Sequence, residues 1–229
     1  MDIRRILDAT DHTLLAQSST LKEIHAICDE AIEYGTASIC IPPFYVAAAA
    51  DYCAGRMPVC TVIGFPNGYA TTATKVFETK DAIAHGAEEI DMVIPVGALK
   101  DRRYREILHE IRDIKAACGE KILKVIIEAC LLTDDEKMRM CEIVTDAKAD
   151  FIKTSTGFST GGATADDLRL FKQYLGPQVR IKAAGGIKNL DIAMEFLDIG
   201  ASRLGSSSIV KMVKAYNTEA EPLTTAGGY

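Results

Sequence analysis

Eight apolar strand signals, each followed by a stretch with helical spacing, predict one α/β domain spanning residues 1–229, a closed (β/α)8 TIM barrel. Length and composition agree, because 229 residues at 48% hydrophobic and 25% charged suffice for one full-sized core. The third observation is an exclusion. Neither a G-x-G-x-x-G turn nor a G-x-x-x-x-G-K-S/T loop follows the first strand, which weakens the alternative of an open, doubly wound nucleotide-binding sheet.

A short amino-terminal helix is expected over residues 3–9. Strands are expected near Thr13 and over 38–41, 59–64, 90–94, 123–127, 151–153, 181–183 and 203–204, the last being very short. Between them, Leu21, Ile24, Ile27, Cys28 and Ala31 share one helical face, as do Tyr104, Ile107, Leu108, Ile111 and Ile114. These stripes are packing faces. Helices are also expected over 164–176 and 207–216, and the polar, Pro- and Gly-containing NTEAEPLTTAGGY (217–229) reads as a mobile tail.

The net charge of −6 comes without any basic block, so neither nucleic acid nor an anionic membrane is an expected partner, and a small metabolite fits better. The amino terminus, MDIRRILDATDH, lacks the long apolar core of a signal peptide, and no apolar run reaches a membrane span. A cytoplasmic chain is expected. The seven cysteines form no C-x-x-C pair and are odd in number, which suggests neither a disulfide framework nor a zinc site. His12, His25, His85 and His109 are dispersed without metal-ligand spacing, so no metal and no cofactor is expected.

The densest chemical signal is DFIKTSTGF, residues 150–158, where Lys153 ends an apolar strand signal and a Thr/Ser/Gly turn follows. Apolar surroundings disfavour the ammonium form and make a neutral amine available to attack carbonyls. The alternative is a lysine snorkelling from an edge strand. RIKAAGGI, residues 180–187, repeats the arrangement one β/α unit later with Lys182. Two such cations at ~6 Å and an effective dielectric near ~20 repel by about 2 to 3 kcal/mol, roughly two pKa units, so one of the pair should be neutral near pH 7.

KTSTGF and KAAGGI, together with EIDMVI (89–94), DHTLL (11–15) and LGSSS (204–208), closely resemble the deoxyribose-phosphate aldolases, a family of Schiff-base (class I) aldolases. The resemblance runs over nearly the whole chain. It implies reversible cleavage of 2-deoxy-D-ribose 5-phosphate to D-glyceraldehyde 3-phosphate and acetaldehyde, in deoxyribonucleoside catabolism, without a metal. Lys153 would be the nucleophile. Asp91 and Lys182 would move protons, and Asp11 would hold the substrate hydroxyl and the lysine network. A homodimer is the family expectation. On the residues alone, Asp91 also fits a purely structural ion pair, and Asp11 a turn or helix cap. Cys40 matches a family position near the reactive lysine and is assigned to the pocket wall, although a buried Cys is usually a small hydrophobe. Thr156, in the turn after Lys153, joins the substrate-binding set. Glu128 is an inward candidate whose side cannot be read from the sequence, and it stays outside that set.

Phosphate has its own signal in Gly185 and Gly186 after the seventh strand, and in Gly205 and Ser206, Ser207 and Ser208 after the eighth. Glycines admit an oxyanion to backbone N–H groups, the hydroxyls donate, and the following helix start carries partial positive charge. A capped turn is the bland alternative. The resemblance narrows the anion site to Gly186, Ser207 and Ser208. One departure stands out: Phe158 occupies the place where some family members carry a lysine near the phosphate.

Overall fold

The computed structural model describes residues 1–220. Among them, eight strands run in chain order: β1 (Thr10–Thr13), β2 (Ser38–Ile41), β3 (Val59–Ile63), β4 (Glu89–Val93), β5 (Ile122–Ile126), β6 (Phe151–Lys153), β7 (Arg180–Ala184) and β8 (Ala201–Ser206). Each pairs in parallel with the next, and β8 returns to β1, closing the barrel. The helices are α1 (Ile3–Asp8), α2 (Leu21–Tyr34), α3 (Val46–Cys53), α4 (Thr72–Ala84), α5 (Val96–Lys100), α6 (Tyr104–Cys118), α7 (Asp134–Asp146), α8 (Ala165–Tyr174), α9 (Leu190–Ile199) and α10 (Ile209–Ala220).

Two faces of each strand meet different surroundings, as a period of two requires. One set, including Ile39, Ile41, Ile90, Met92, Leu123, Val125 and Ile152, is fully buried in the main hydrophobic core. The alternate set turns inward and carries Asp11, Glu89, Asp91, Lys124, Lys153, Lys182 and Arg203, whose side chains meet across the barrel. A small apolar patch of Cys40, Cys60 and Val62 completes the interior on the β2–β3 side. The helices start where side chains can accept from free backbone N–H groups: Thr20 with Glu23, and Thr133 with Glu136, form reciprocal capping boxes on α2 and α7. Such a cap is worth about 1 kcal/mol and fixes where each loop ends.

Three expectations need correction. Asp11, which the sequence places at or just after the end of the first strand, lies inside β1, and Lys182, which it places at the end of the seventh, sits two residues before the end of β7. The last helix does not stop at residue 216 but runs to Ala220, so the first four residues of the expected tail are helical. No breaker occurs before Pro222, and Thr218 donates back to the Lys214 carbonyl at 2.9 Å, as helical geometry allows. The remainder of that tail, 221–229, lies outside the described residues. Among the described residues, no helix is long and apolar enough to cross a membrane.

Candidate active site

Lys153 is the last residue of β6, and its register partner on β7 is Lys182. The pair is not left facing each other. Both ammonium groups reach the same oxygen of Asp91, with Nζ to Oδ2 distances of 2.7 Å for Lys153 and 2.6 Å for Lys182. A carboxylate inserted between two cations converts the expected repulsion into a shared contact. The other Asp91 oxygen receives Lys124 Nζ at 2.9 Å and the Cys60 thiol at 3.2 Å.

Lys124 continues the network to Glu89 at 2.6 Å, and Arg203 donates both its outer nitrogens to Glu89 at 3.0 Å. Asp11 accepts from Lys182 and Arg203, and from the Ser38 hydroxyl at 2.8 Å. Four cations, Lys124, Lys153, Lys182 and Arg203, therefore meet three carboxylates, Asp11, Glu89 and Asp91. Loss of one proton brings the cluster to neutrality, which favours one free amine in this low-dielectric interior.

The surroundings indicate which cations stay charged. Burial opposes charge on Lys182, but Asp11 and Asp91 outweigh it and hold this ammonium above the ordinary lysine range. Burial likewise opposes charge on Lys124, and Asp91, with Asp11 and Glu89, overcomes it. Asp91 is fully buried, which alone would favour its neutral form, yet Lys124, Lys153 and Lys182 keep its carboxyl well below the usual range. Of the seven charged groups, Lys153 alone lines the cavity at the strand ends.

That cavity has a volume of about 410 Å³. Gly185, Gly186, Gly205, Ser207, Ser208 and Thr156, all expected from the sequence, line it with Lys153. Gly185 and Gly186 adopt φ of 73° and 75°, a left-handed pair that other residues rarely tolerate. Gly162 from the β6–α8 loop packs so closely on them that a Cβ there would lie 2.4 Å from the Gly185 carbonyl carbon. Ser207 and Ser208 immediately precede α10, so backbone N–H groups and hydroxyls converge on one rim. Phe158 is half exposed, lines the cavity, and packs edge-on against Phe65 with centroids 5.3 Å apart. It is thus both a rim residue and an aromatic anchor.

Asp11, Asp91 and Lys182 lie fully buried behind Lys153. Cys40 is also fully buried, beside Cys60 and Asp91, and is absent from the lining of the cavity. The wall position expected of it is taken by Leu14, Leu15 and Ala16. His12 points away, to Glu30 at 2.8 Å. Two groups, Cys40 with Cys60 and Asp91, and Asp11 with Cys60 and Glu89, bring metal-ligand atoms within 4.8 Å of one another. Their carboxylates already hold lysine and arginine, and those cations would repel a metal ion.

Sequence reasoning missed Lys124, Glu89 and Arg203. Glu89 carried a signal, since it stands two residues from Asp91 in an otherwise apolar strand and so shares its face. Glu128 also finds a place. It is buried two residues past β5, accepting from the Thr156 N–H at 3.1 Å and from the Thr156 hydroxyl. Its φ of 52° and ψ of 61° are left-handed, a conformation costing a non-glycine residue about 1 to 2 kcal/mol.

Known proteins share this chain's sequence and fold. Residues 5–208 match the model of the DeoC/LacD family aldolases. The deoxyribose-phosphate aldolase of Clostridioides difficile (strain 630) is 53% identical over 216 residues, covering 94% of this chain and 99% of that one. The Streptococcus agalactiae deoxyribose-phosphate aldolase is 54% identical over 219 residues, covering 96% and 98%. The tetrameric deoxyribose phosphate aldolase of Aeropyrum pernix superposes with a TM-score of 0.85 at 28% identity, covering 96% of this chain and 94% of that one. The match over residues 5–208 and the relatives at 53% and 54% identity make this chain a member of the DeoC/LacD aldolase family.

Proposed function

We propose that the chain is a class I aldolase, a lyase acting as one domain, which reversibly cleaves 2-deoxy-D-ribose 5-phosphate to D-glyceraldehyde 3-phosphate and acetaldehyde through a Schiff base on Lys153. The observation that carries this reading is the position of Lys153, the one member of the charged interior that reaches the cavity, sharing Asp91 with Lys182. The amine adds to the C1 aldehyde, and the carbinolamine loses water to give an iminium. This cation accepts the electrons of the C2–C3 bond as that bond breaks, while the C3 hydroxyl loses its proton and becomes the new carbonyl. Protonation of the resulting enamine and hydrolysis return Lys153 and release acetaldehyde.

Asp91 and Lys182 suit the proton transfers, because one Asp91 oxygen touches both amines and a proton can pass along that contact. Asp11, with its oxygens engaged by Ser38, Lys182 and Arg203, holds Lys182 in place. The phosphate belongs at the rim formed by Gly186, Ser207 and Ser208, where N–H groups and the start of α10 favour an anion. Cys40 supports the β2 side of the interior. Deoxyribonucleoside catabolism, a cytoplasmic setting and a self-assembling chain, with a homodimer as the simplest case, complete the reading.

The test is reductive trapping. Incubation with acetaldehyde and borohydride should replace one amine hydrogen of the intact chain with an ethyl group, a net gain of C2H4, with peptide mapping placing it on Lys153. An unmodified chain, or activity abolished by a chelator and restored by a divalent metal, would sink the Schiff-base mechanism.

A further inference from the structure

A carboxylate beside a phosphate site is electrostatically out of place. Glu128 is buried, and its partner Thr156 lines the cavity, so its negative charge stands one hydrogen bond behind the wall facing the proposed phosphate. The residue is also held in a left-handed backbone conformation two residues past β5. Both features oppose binding and stability unless the carboxylate performs a geometric task that outweighs them.

The hydrogen bonds identify that task. Thr156 gives Glu128 both its backbone N–H and its hydroxyl proton, while the same hydroxyl oxygen accepts the Phe158 N–H at 3.0 Å. An acceptor-only group is needed at the end of this chain, because the Thr156 N–H reaches Glu128 Oε1 while the Thr156 hydroxyl reaches Oε2, so both terminal atoms must accept. The result fixes the turn 156–158, including Gly157 at φ 84°, over the cavity. The far end of the same loop is fastened separately, where Ala163 N–H reaches the Ala184 and Gly185 carbonyls at 3.0 and 3.2 Å. Glu128 itself is braced, since the neighbouring Ala129 N–H bonds the Thr154 carbonyl at 2.8 Å.

We propose that Glu128 is a positioning residue for substrate phosphate: through Thr156 it clasps the near end of the β6–α8 loop and holds Gly157 and Phe158 at the cavity rim. It touches no reacting atom. The inference rests on the proposed phosphorylated substrate, and it makes an unusual prediction of sign. Removing a negative charge near an anion site should tighten phosphate binding if charge were the whole effect. If position dominates, removal loosens it.

The experiment compares Glu128→Gln, Thr156→Val and Thr156→Ser with the parent, after circular dichroism and thermal melts establish folding. KM and kcat are measured for 2-deoxyribose 5-phosphate and for 2-deoxyribose, alongside borohydride trapping of acetaldehyde. Glu128→Gln should raise KM for the phosphorylated sugar about tenfold, the scale of one lost charge-assisted hydrogen bond, with a smaller change for the plain sugar and the trapped adduct retained. Thr156→Ser, which keeps the hydroxyl, should recover most of the discrimination lost in Thr156→Val. Hydrogen exchange supplies a readout independent of substrate: amides of 156–158 should exchange faster in Glu128→Gln while those of β6 and β7 stay protected. A lower KM for the phosphorylated sugar, equal losses for both sugars, or unchanged exchange over 156–158 would each overturn the proposal. Failure of the parent to trap acetaldehyde would instead count against the Schiff base, leaving the exchange result to decide the role of Glu128.

Discussion

Lys75 and Lys153 pose the same problem in two places. Each is a buried lysine whose Nζ lies 2.7 Å from a carboxylate oxygen, Glu110 for Lys75 and Asp91 for Lys153. Lys75, on α4 in the layer outside the barrel, also donates to the Val93 carbonyl at 2.8 Å, and burial pulls its ammonium below the ordinary lysine range despite Glu110. By desolvation alone it would qualify as a nucleophile. Yet it is fully enclosed, its carboxylate partner is not shared with a second lysine, and its amine is sealed against backbone. Lys153 differs in having a cavity in front of it and a second lysine on the same oxygen behind it. A buried lysine becomes useful through access and a proton partner, and burial by itself yields only a structural tie.

Substitution of each lysine separates the two cases. Lys153→Ala should abolish acetaldehyde trapping and lower kcat by ~10³-fold or more, whereas Lys75→Met, where folded, should still trap. An adduct surviving in Lys153→Ala would erase the distinction. The second largest effect belongs to stability: Lys75→Met strands a buried Glu110 and should cost about 3 to 5 kcal/mol in urea unfolding, much of it recovered by adding Glu110→Leu. An unchanged midpoint would mean that water reaches Glu110.

The shared oxygen can be tested next. Lys182→Met leaves three cations for three carboxylates, so nothing drives a proton off the cluster, and trapping at pH 7 should slow roughly ten- to a hundredfold, recovering as pH rises. The same pH profile in parent and variant would show that the excess charge is irrelevant. The smallest effect concerns the rim, which lacks any cation among its lining residues other than Lys153. Phe158→Lys should add about 1 to 2 kcal/mol of attraction for a phosphate dianion, raising the kcat/KM ratio for phosphorylated over plain deoxyribose roughly five- to thirtyfold at low salt. Equal damage to both sugars would identify the Phe158 contact with Phe65 as its main purpose.

Strand positions were largely legible, because outward-facing Ile, Val, Leu and Met at alternating positions leave a local pattern. Lys153, Asp91 and the glycine and serine rim were legible for a similar reason, each being a conspicuous residue type in a short apolar or turn context. Arg203 and Lys124 were not. Arg203 meets Asp11 and Glu89 across separations of 192 and 114 residues, contacts that exist only because β8 returns to β1 and closes the interior. Glu128 stands out in the sequence without a legible side, since its orientation depends on a left-handed backbone that a glutamate does not advertise. Helix ends were the other weak point, as the extension of α10 to Ala220 shows.

Cys130 gives the β6–α8 loop a built-in optical handle. Of the seven thiols it alone is exposed, and its sulfur lies 3.6 Å from the Ser159 hydroxyl and 3.7 Å from that of Thr160. A maleimide dye therefore has one place to react on the folded chain, two residues from Glu128 and directly against the loop. Fluorescence from that single label would follow the loop in real time as sugar phosphate arrives, without engineering a cysteine into the protein.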